Sequence, residues 1–189
     1  KLCSDKLFIS ANVLNPNRFK VSIVRYGNVI NSRGSVIPFF NELHKNKKSL
    51  PITHKDMTRF IITLSQGVDM VLWTLKNQKG GEIFVPKIPS IRLVDLVKSF
   101  KNSKSHEVGI RPGEKIHEEL ISDTEVLNTI DYGKYYGILP QDTYFDIKKY
   151  IKKNKLKSYD LIGSYNSYNN SEFLSISEIR SLINSEIND

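Results

Sequence analysis

Through about residue 120, short β-branched apolar runs alternate with stretches whose apolar residues recur every three or four positions. Alternation of this kind specifies an α/β protein and disfavours an all-α or all-β one. Cys3, Leu7, Phe8, Ala11 and Leu14 fall on one face of a predicted helix over residues 1–14, closed by Asn15-Pro16-Asn17. Residues 19–24 read as a buried strand. After the loop 31–35, Pro38 suits the first turn of a helix reaching about Lys45. Residues 45–58 read as polar loop with an extended piece at 50–53. Ser65 is placed to cap a helix whose buried stripe is Val68, Val71, Leu72 and Leu75. The Gly80-Gly81 turn leads into a strand over 82–87. Ser90 is placed to cap a helix carrying Leu93, Leu96, Val97 and Phe100. A short strand at 107–110 and the tight loop Arg111-Pro112-Gly113-Glu114 precede a predicted helix with Ile116 and Leu120. The pattern then weakens until Ser175 or Ser177 opens a last helix with Ile179, Leu182 and Ile183.

Composition removes several function classes. At 189 residues, with 39% hydrophobic and 25% charged residues, the chain suits one domain with a real core, or one domain plus part of another. The single cysteine, Cys3, excludes an internal disulfide framework and points to a reducing compartment. On its apolar helix face it reads as a small core residue rather than a nucleophile. No run approaches the roughly 18–20 apolar residues that span a bilayer. With 28 Lys+Arg against 20 Asp+Glu the net charge is +8, which favours anionic partners. Lys148, Lys149, Lys152, Lys153, Lys155 and Lys157 crowd one stretch, but only Tyr150 and Tyr159 accompany them. A nucleic-acid surface interleaves more Arg and aromatic residues, so a solvated helix face is the expected reading. His54, His106 and His117 have no metal-ligand spacing, and His117-Glu118 lacks the second His of a zinc-protease helix. No Gly-x-Gly-x-x-Gly or Walker loop occurs. The first residue is Lys and the opening reads as mid-helix, so the chain is expected to be the C-terminal piece of a longer protein.

Some residues suit anion and sugar chemistry by type and position. Asn28 follows a strand, at the carboxyl end where α/β proteins place ligands, and its amide both donates and accepts. It also suits a plain turn beside a core Val29. Arg33, followed by Gly34-Ser35, lies on a loop that could approach a diphosphate, ahead of a helix N-terminus; a bare surface loop is the alternative. Arg59 offers a planar donor fork that matches phosphate, or one half of a structural ion pair. Arg111 and Glu114, three residues apart round a turn, either point into one site or pair with each other.

Four blocks carry a resemblance: RYGNVINSRGSVIPFF, PITHKDMTRF, GGEIFVPKIPS and GIRPGEKIHE. With the opening KLCSDKLFISAN, they resemble the C-terminal half of the inverting UDP-N-acetylglucosamine 4,6-dehydratases, extended short-chain dehydrogenase/reductases of the pseudaminic acid type. The match covers residues 1–120 strongly and the rest loosely. It implies the C-terminal part of a Rossmann-type NAD(P)-binding fold plus a smaller α/β substrate-binding domain. Residues 1–35 would be the last Rossmann elements, and residues 36–189 a UDP-sugar-binding domain with interleaved Rossmann elements and a C-terminal extension. It further implies NADP, or NAD, as cofactor, with Lys1 on the nicotinamide ribose and beside a catalytic tyrosinate, and Val29 along the nicotinamide. Asn28 would contact the nucleotide sugar, Ile37 the uridine side, Thr53 the uracil region, and Arg33 and Arg59 the phosphates. Arg111 would neutralise the diphosphate and Glu114 accept from the ribose hydroxyls. No metal is implied.

The implied reaction takes UDP-N-acetylglucosamine to a 4-keto-6-deoxy sugar with C5 inverted, for surface polysaccharide or flagellin sugars. The implied setting is a cytoplasmic homo-oligomer, dimer or hexamer. The 189 residues alone are expected to lack turnover, since the family's glycine loop, Asp-Lys pair and tyrosine lie upstream of Lys1. Alternatives are a retaining dehydratase, a UDP-sugar 4-epimerase, or a non-catalytic UDP-sugar-binding remnant.

Overall fold

The computed structural model describes residues 2–14, 19–140, 147–159 and 163–188. In chain order the elements begin α1 (Leu2–Leu14), β1 (Ile23–Val24), β2 (Asn28–Val29), α2 (Val36–Lys45), β3 (Leu50–Ile52), β4 (Thr58–Ile62) and α3 (Leu64–Asn77). There follow β5 (Ile83–Pro86), β6 (Ser90–Arg92), α4 (Leu93–Ser99), β7 (Ser105–Glu107), β8 (Glu119–Ile121), α5 (Asp123–Val126), β9 (Thr129–Asp131) and β10 (Tyr135–Ile138). The last are α6 (Ile147–Asn154), β11 (Lys157–Ser158), β12 (Tyr165–Asn166) and α7 (Ile176–Asn188). The fold class is α/β with both parallel and antiparallel pairing, and the chain divides into two interleaved compact units.

One unit comprises the residues up to Tyr26, Gln66–Lys87 and Leu120–Tyr165. Its sheet has the order β1-β5-β10-β9-β11, with β1 parallel to β5 and the remaining pairs antiparallel. β5 is buried at every position, as expected of an apolar run covered on both faces. Trp73 of α3 packs edge-on against Phe84 and Tyr132, at centroid distances of 5.3 and 5.6 Å.

An ion triad ties the ends of this unit together. Arg25 meets Asp5 of α1 and Glu125 of α5, each at 2.9 Å, and also donates to the Leu120 carbonyl. Glu125 additionally closes a capping box with Ser122. Burial by itself would raise the Glu125 carboxyl. The hydrogen bonds from Arg25 and Ser122, together with the Arg25 charge, outweigh it and hold the carboxyl below its ordinary value of 4.5. A depressed acid contributes stability that is full above its unfolded pKa and lost as pH falls through the folded one. We therefore expect the urea midpoint to drop below about pH 4.5 in the unsubstituted protein, and to drop less steeply in Glu125→Gln. Parallel acid limbs for the two proteins would exclude this role for Glu125.

The other unit comprises Gly27–Ser65, Ile88–Glu119 and the residues from Asn166 onward. A three-stranded sheet has the order β2-β4-β6, parallel between β2 and β4 and antiparallel between β4 and β6. β3 and β7 form a separate parallel pair. The core gathers Ile30, Ile37, Phe40, Leu50, Met57, Ile61, Leu96 and Ile179 with their neighbours. α7 lies along α4, where Arg180 Nε donates to the Ser99 carbonyl at 2.9 Å.

Several sequence expectations need correction. The predicted strand at 19–24 shrinks to Ile23–Val24, and Phe19 is 45% exposed. Strand β4 falls at the end of the segment read as loop and just past it; its polar opening, Thr58-Arg59, hides the apolar run that follows. Ser90 lies within β6 and caps no helix, and the short strand at 107–110 moves back to Ser105–Glu107. Leu120 belongs to β8, not to a helix. In α3 the inward face carries Gly67, Met70 and Thr74, while Val68, Val71, Leu72 and Leu75 are exposed. Likewise Cys3, Leu7, Phe8 and Leu14 of α1 are exposed, so Cys3 is no core residue here. Apolar periodicity locates a stripe but does not say which neighbour covers it. The closing segment Asn15-Pro16-Asn17 lies outside the described residues.

Candidate functional site: a cavity beside a parallel strand pair

The site begins with a close approach of two strands. β2 pairs in parallel with β4, placing Asn28 opposite Ile61. Gly27, just before, lies so near β4 that an added Cβ would fall 2.7 Å from the Phe60 carbonyl oxygen and 2.8 Å from its carbon. Only glycine fits there without a shift of backbone. Gly27→Ala is expected to cost about 1–3 kcal/mol, as overpacking does, and to carry Asn28 away from β4. A urea midpoint equal to that of the unsubstituted protein would refute this.

Beside this pair lies a cavity of about 200 Å³. Its apolar side comes from Ile30, Met57, Ile61, Ile91, Leu93 and Leu96; Asn28, Val29, Ser35, Val36, Ile37, Thr53, Arg59 and Glu114 supply the rest. Six residues singled out in the sequence therefore share one cavity: Asn28, Val29, Ile37, Thr53, Arg59 and Glu114. Arg33 and Arg111 are exposed and are not among its lining residues. Lys1 lies outside the described residues.

The turn at 111–114 explains how Glu114 arrives. Pro112 follows Arg111, and Gly113 has φ 78°, the signature of a type II turn. The Glu114 N–H donates to the Arg111 carbonyl at 3.0 Å, and the Arg111 N–H reaches back toward Glu114 Oε2 at 3.3 Å. The turn thus brings the Glu114 carboxylate to the cavity while its partner guanidinium is Arg59, not Arg111.

Arg59 is the one partly exposed residue of the otherwise buried strand β4. Its Nη1 donates to the carbonyls of Thr58 and Ile116, at 2.7 and 2.9 Å. Nη2 lies 3.6 Å from Glu114 and Nε 3.6 Å from Glu118. Both carboxylate contacts are longer than the roughly 2.7–2.9 Å of a fully formed charge-assisted bond. Behind Arg59, Thr58 Oγ1 meets His117 Nδ1 at 2.8 Å and Ser167 Oγ at 2.7 Å. Burial, and secondarily the Arg59 charge, push His117 below the ordinary imidazole value, so the ring is neutral at pH 7. Glu118, His117 and Ser167 escape sequence reasoning. The first two sit in the GIRPGEKIHE block without ligand spacing, and Ser167 reaches the site from a distant polar loop.

A cavity with an apolar side, one guanidinium, one carboxylate and one amide suits a flat ring joined to an anionic, hydroxyl-bearing tail. Fold and cavity together define an α/β protein with a partly apolar, charge-bearing cavity beside a parallel strand pair. An X-ray structure of Pen from Bacillus thuringiensis superposes with a TM-score of 0.82 at 33% identity, covering 99% of this chain and 56% of that one. The chain belongs to the family described as polysaccharide biosynthesis protein, which matches residues 1–140. It is 43% identical to the UDP-N-acetylglucosamine 4,6-dehydratase (inverting) of Campylobacter jejuni strain 81-176, over 97% of this chain and 57% of that protein. It is 34% identical to the UDP-glucose 4-epimerase of Rickettsia felis, over 97% of this chain and 55% of that protein. The chain thus spans little more than half the length of these relatives.

Proposed function

We propose that the protein to which these residues belong removes water from UDP-N-acetylglucosamine, giving a UDP-4-keto-6-deoxy sugar with C5 inverted. The product serves surface polysaccharide or flagellin sugars of the pseudaminic acid type. In this reading residues 1–35 are the last elements of a Rossmann-type domain and residues 36–189 a UDP-sugar-binding domain with interleaved Rossmann elements and a C-terminal extension, with Asn28 and Arg33 reaching the ligand from the end of the first segment. The single observation that carries it is the meeting of Asn28, Arg59 and Glu114 at one partly apolar cavity.

Each side chain has a defined task. The apolar side and Thr53 take the uracil ring, and Ile37 packs on the uridine. Glu114 accepts from the ribose hydroxyls. The Arg59 fork neutralises a phosphate, and the Asn28 amide bridges phosphate and sugar. Arg33 and Arg111, both exposed, add charge for the diphosphate. At about 200 Å³ the cavity is smaller than the roughly 300–1,000 Å³ of a whole ligand site, so it suits the uridine end and its adjoining phosphate rather than the whole UDP-sugar.

The cofactor in this reading is NADP, with NAD as the alternative. It supplies a hydride acceptor that is restored by the end of the cycle. Within this chain it would meet Lys1 and the half-buried Val29. The described residues carry no glycine-rich loop for a dinucleotide's phosphates, so they do not by themselves make its site. The protein is read as a cytoplasmic homo-oligomer, dimer or hexamer. Among the described residues no helix is long and apolar enough to cross a membrane.

The test is NMR of the product formed from UDP-N-acetylglucosamine in D₂O. A 4-keto-6-deoxy product with inverted C5 is expected. The similarity to UDP-glucose 4-epimerases supports a second reading, which predicts C4 inversion with no water lost. Retained C5 would assign the retaining dehydratase instead.

A further inference from the structure

Arg59 is held from behind as well as faced from the cavity, and the two sides differ in how they are anchored. Glu114 rides on an exposed turn and makes two long contacts, 3.6 Å to Arg59 and 3.3 Å from the Arg111 N–H. Glu118 faces Arg59 Nε from a pinned backbone: its N–H donates to Ser167 Oγ at 2.9 Å, and its carbonyl accepts from the Ser167 N–H at 2.7 Å. Ser167 is fully buried, and its hydroxyl also meets Thr58, the residue before Arg59. One buried serine thus fixes both the strand that carries the guanidinium and the segment that carries its rear carboxylate.

We propose that Glu118 is a positioning residue, holding the Arg59 fork toward the cavity for a nucleoside diphosphate while Glu114 turns to the ligand's hydroxyls. The inference rests on the UDP reading above and adds to it a residue that touches no ligand. Two carboxylates around one guanidinium also keep it from being left an isolated, partly buried charge when Glu114 changes partner. Held in one rotamer, the fork meets a phosphate without first losing side-chain freedom.

The experiment compares Glu118→Ala and Glu118→Gln with the unsubstituted protein, titrating UDP and uridine calorimetrically and recording the Arg59 Nε–H resonance by NMR without ligand. Glu118→Ala is expected to weaken UDP about tenfold while leaving uridine within about twofold. Glu118→Gln, which keeps an oxygen for the Nε–H, is expected to recover most of the loss. The Arg59 resonance is expected to be sharp in the unsubstituted protein and to broaden in Glu118→Ala. Equal loss of UDP and uridine would mean a collapsed site and overturn the positioning role. UDP binding that stays equal or tightens in Glu118→Ala would make Glu118 a competing charge and overturn it too. An Arg59 resonance unchanged in Glu118→Ala would do so with no ligand present. If the unsubstituted protein ignores UDP while the resonance broadens as expected, the UDP reading fails and the hold on Arg59 stands.

Discussion

Arg59→Ala is expected to weaken UDP binding about a hundredfold, since hydrogen bonds to charged groups are each worth about 1.5–3 kcal/mol. Uridine, which carries no phosphate, is expected to bind nearly as before. The difference arises because the guanidinium faces the cavity from β4, whereas the apolar side that would take the base is built from other residues. Arg59→Lys is expected to recover only part of the loss, because a point charge cannot reproduce the planar fork. Calorimetric titration of both ligands decides the matter. Arg59→Ala with undiminished UDP affinity would assign the phosphate elsewhere, with the exposed Arg111 the first residue to test.

The second large effect concerns stability. Arg25→Ala is expected to lower unfolding free energy by about 3 kcal/mol, the cost of breaking a mostly buried ion pair from one side. The guanidinium is 15% exposed, and its loss strands the carboxylates of Asp5 and Glu125 and the Leu120 carbonyl. These partners belong to α1, α5 and β8, so one side chain ties together segments far apart in the chain. Urea unfolding at pH 7 measures the change. A loss below about 1 kcal/mol would show that water replaces the guanidinium freely, as at an exposed pair. Glu125→Gln, which keeps the shape and removes one charge, is expected to cost less than Arg25→Ala.

Much of the architecture was legible because local rules and tertiary context agreed. α2 starts where Pro38 and the preceding small residues predicted, α7 starts at Ser175-Ile176, and β5 is the buried run after Gly80-Gly81. Misreadings came where context overrode pattern. Thr58 is polar yet buried, because a histidine and a serine from elsewhere satisfy its hydroxyl; nothing in PITHKDMTRF announces those partners. Leu120 satisfies a helical period, but its segment runs extended after the 111–114 turn. The site behaves alike. Asn28, Arg59 and Glu114 were legible from residue type and from the resemblance of their blocks. Arg111 and Glu114, expected to point into one site, part company: Arg111 is exposed and does not line the cavity, while turn geometry sends the carboxylate to the guanidinium of β4.

By itself the sequence determined the α/β alternation, the turn at Pro112-Gly113, the family, and several of the polar groups that line the cavity. Each of these is written in neighbouring residues or in blocks that survive being read one at a time. Only the tertiary structure decided which carboxylate faces which guanidinium, and that Ser167, more than a hundred positions from Thr58, pins the strand behind it. Contacts between residues so far apart depend on how strands pair and which side chains become buried together, and no local pattern of polarity encodes that.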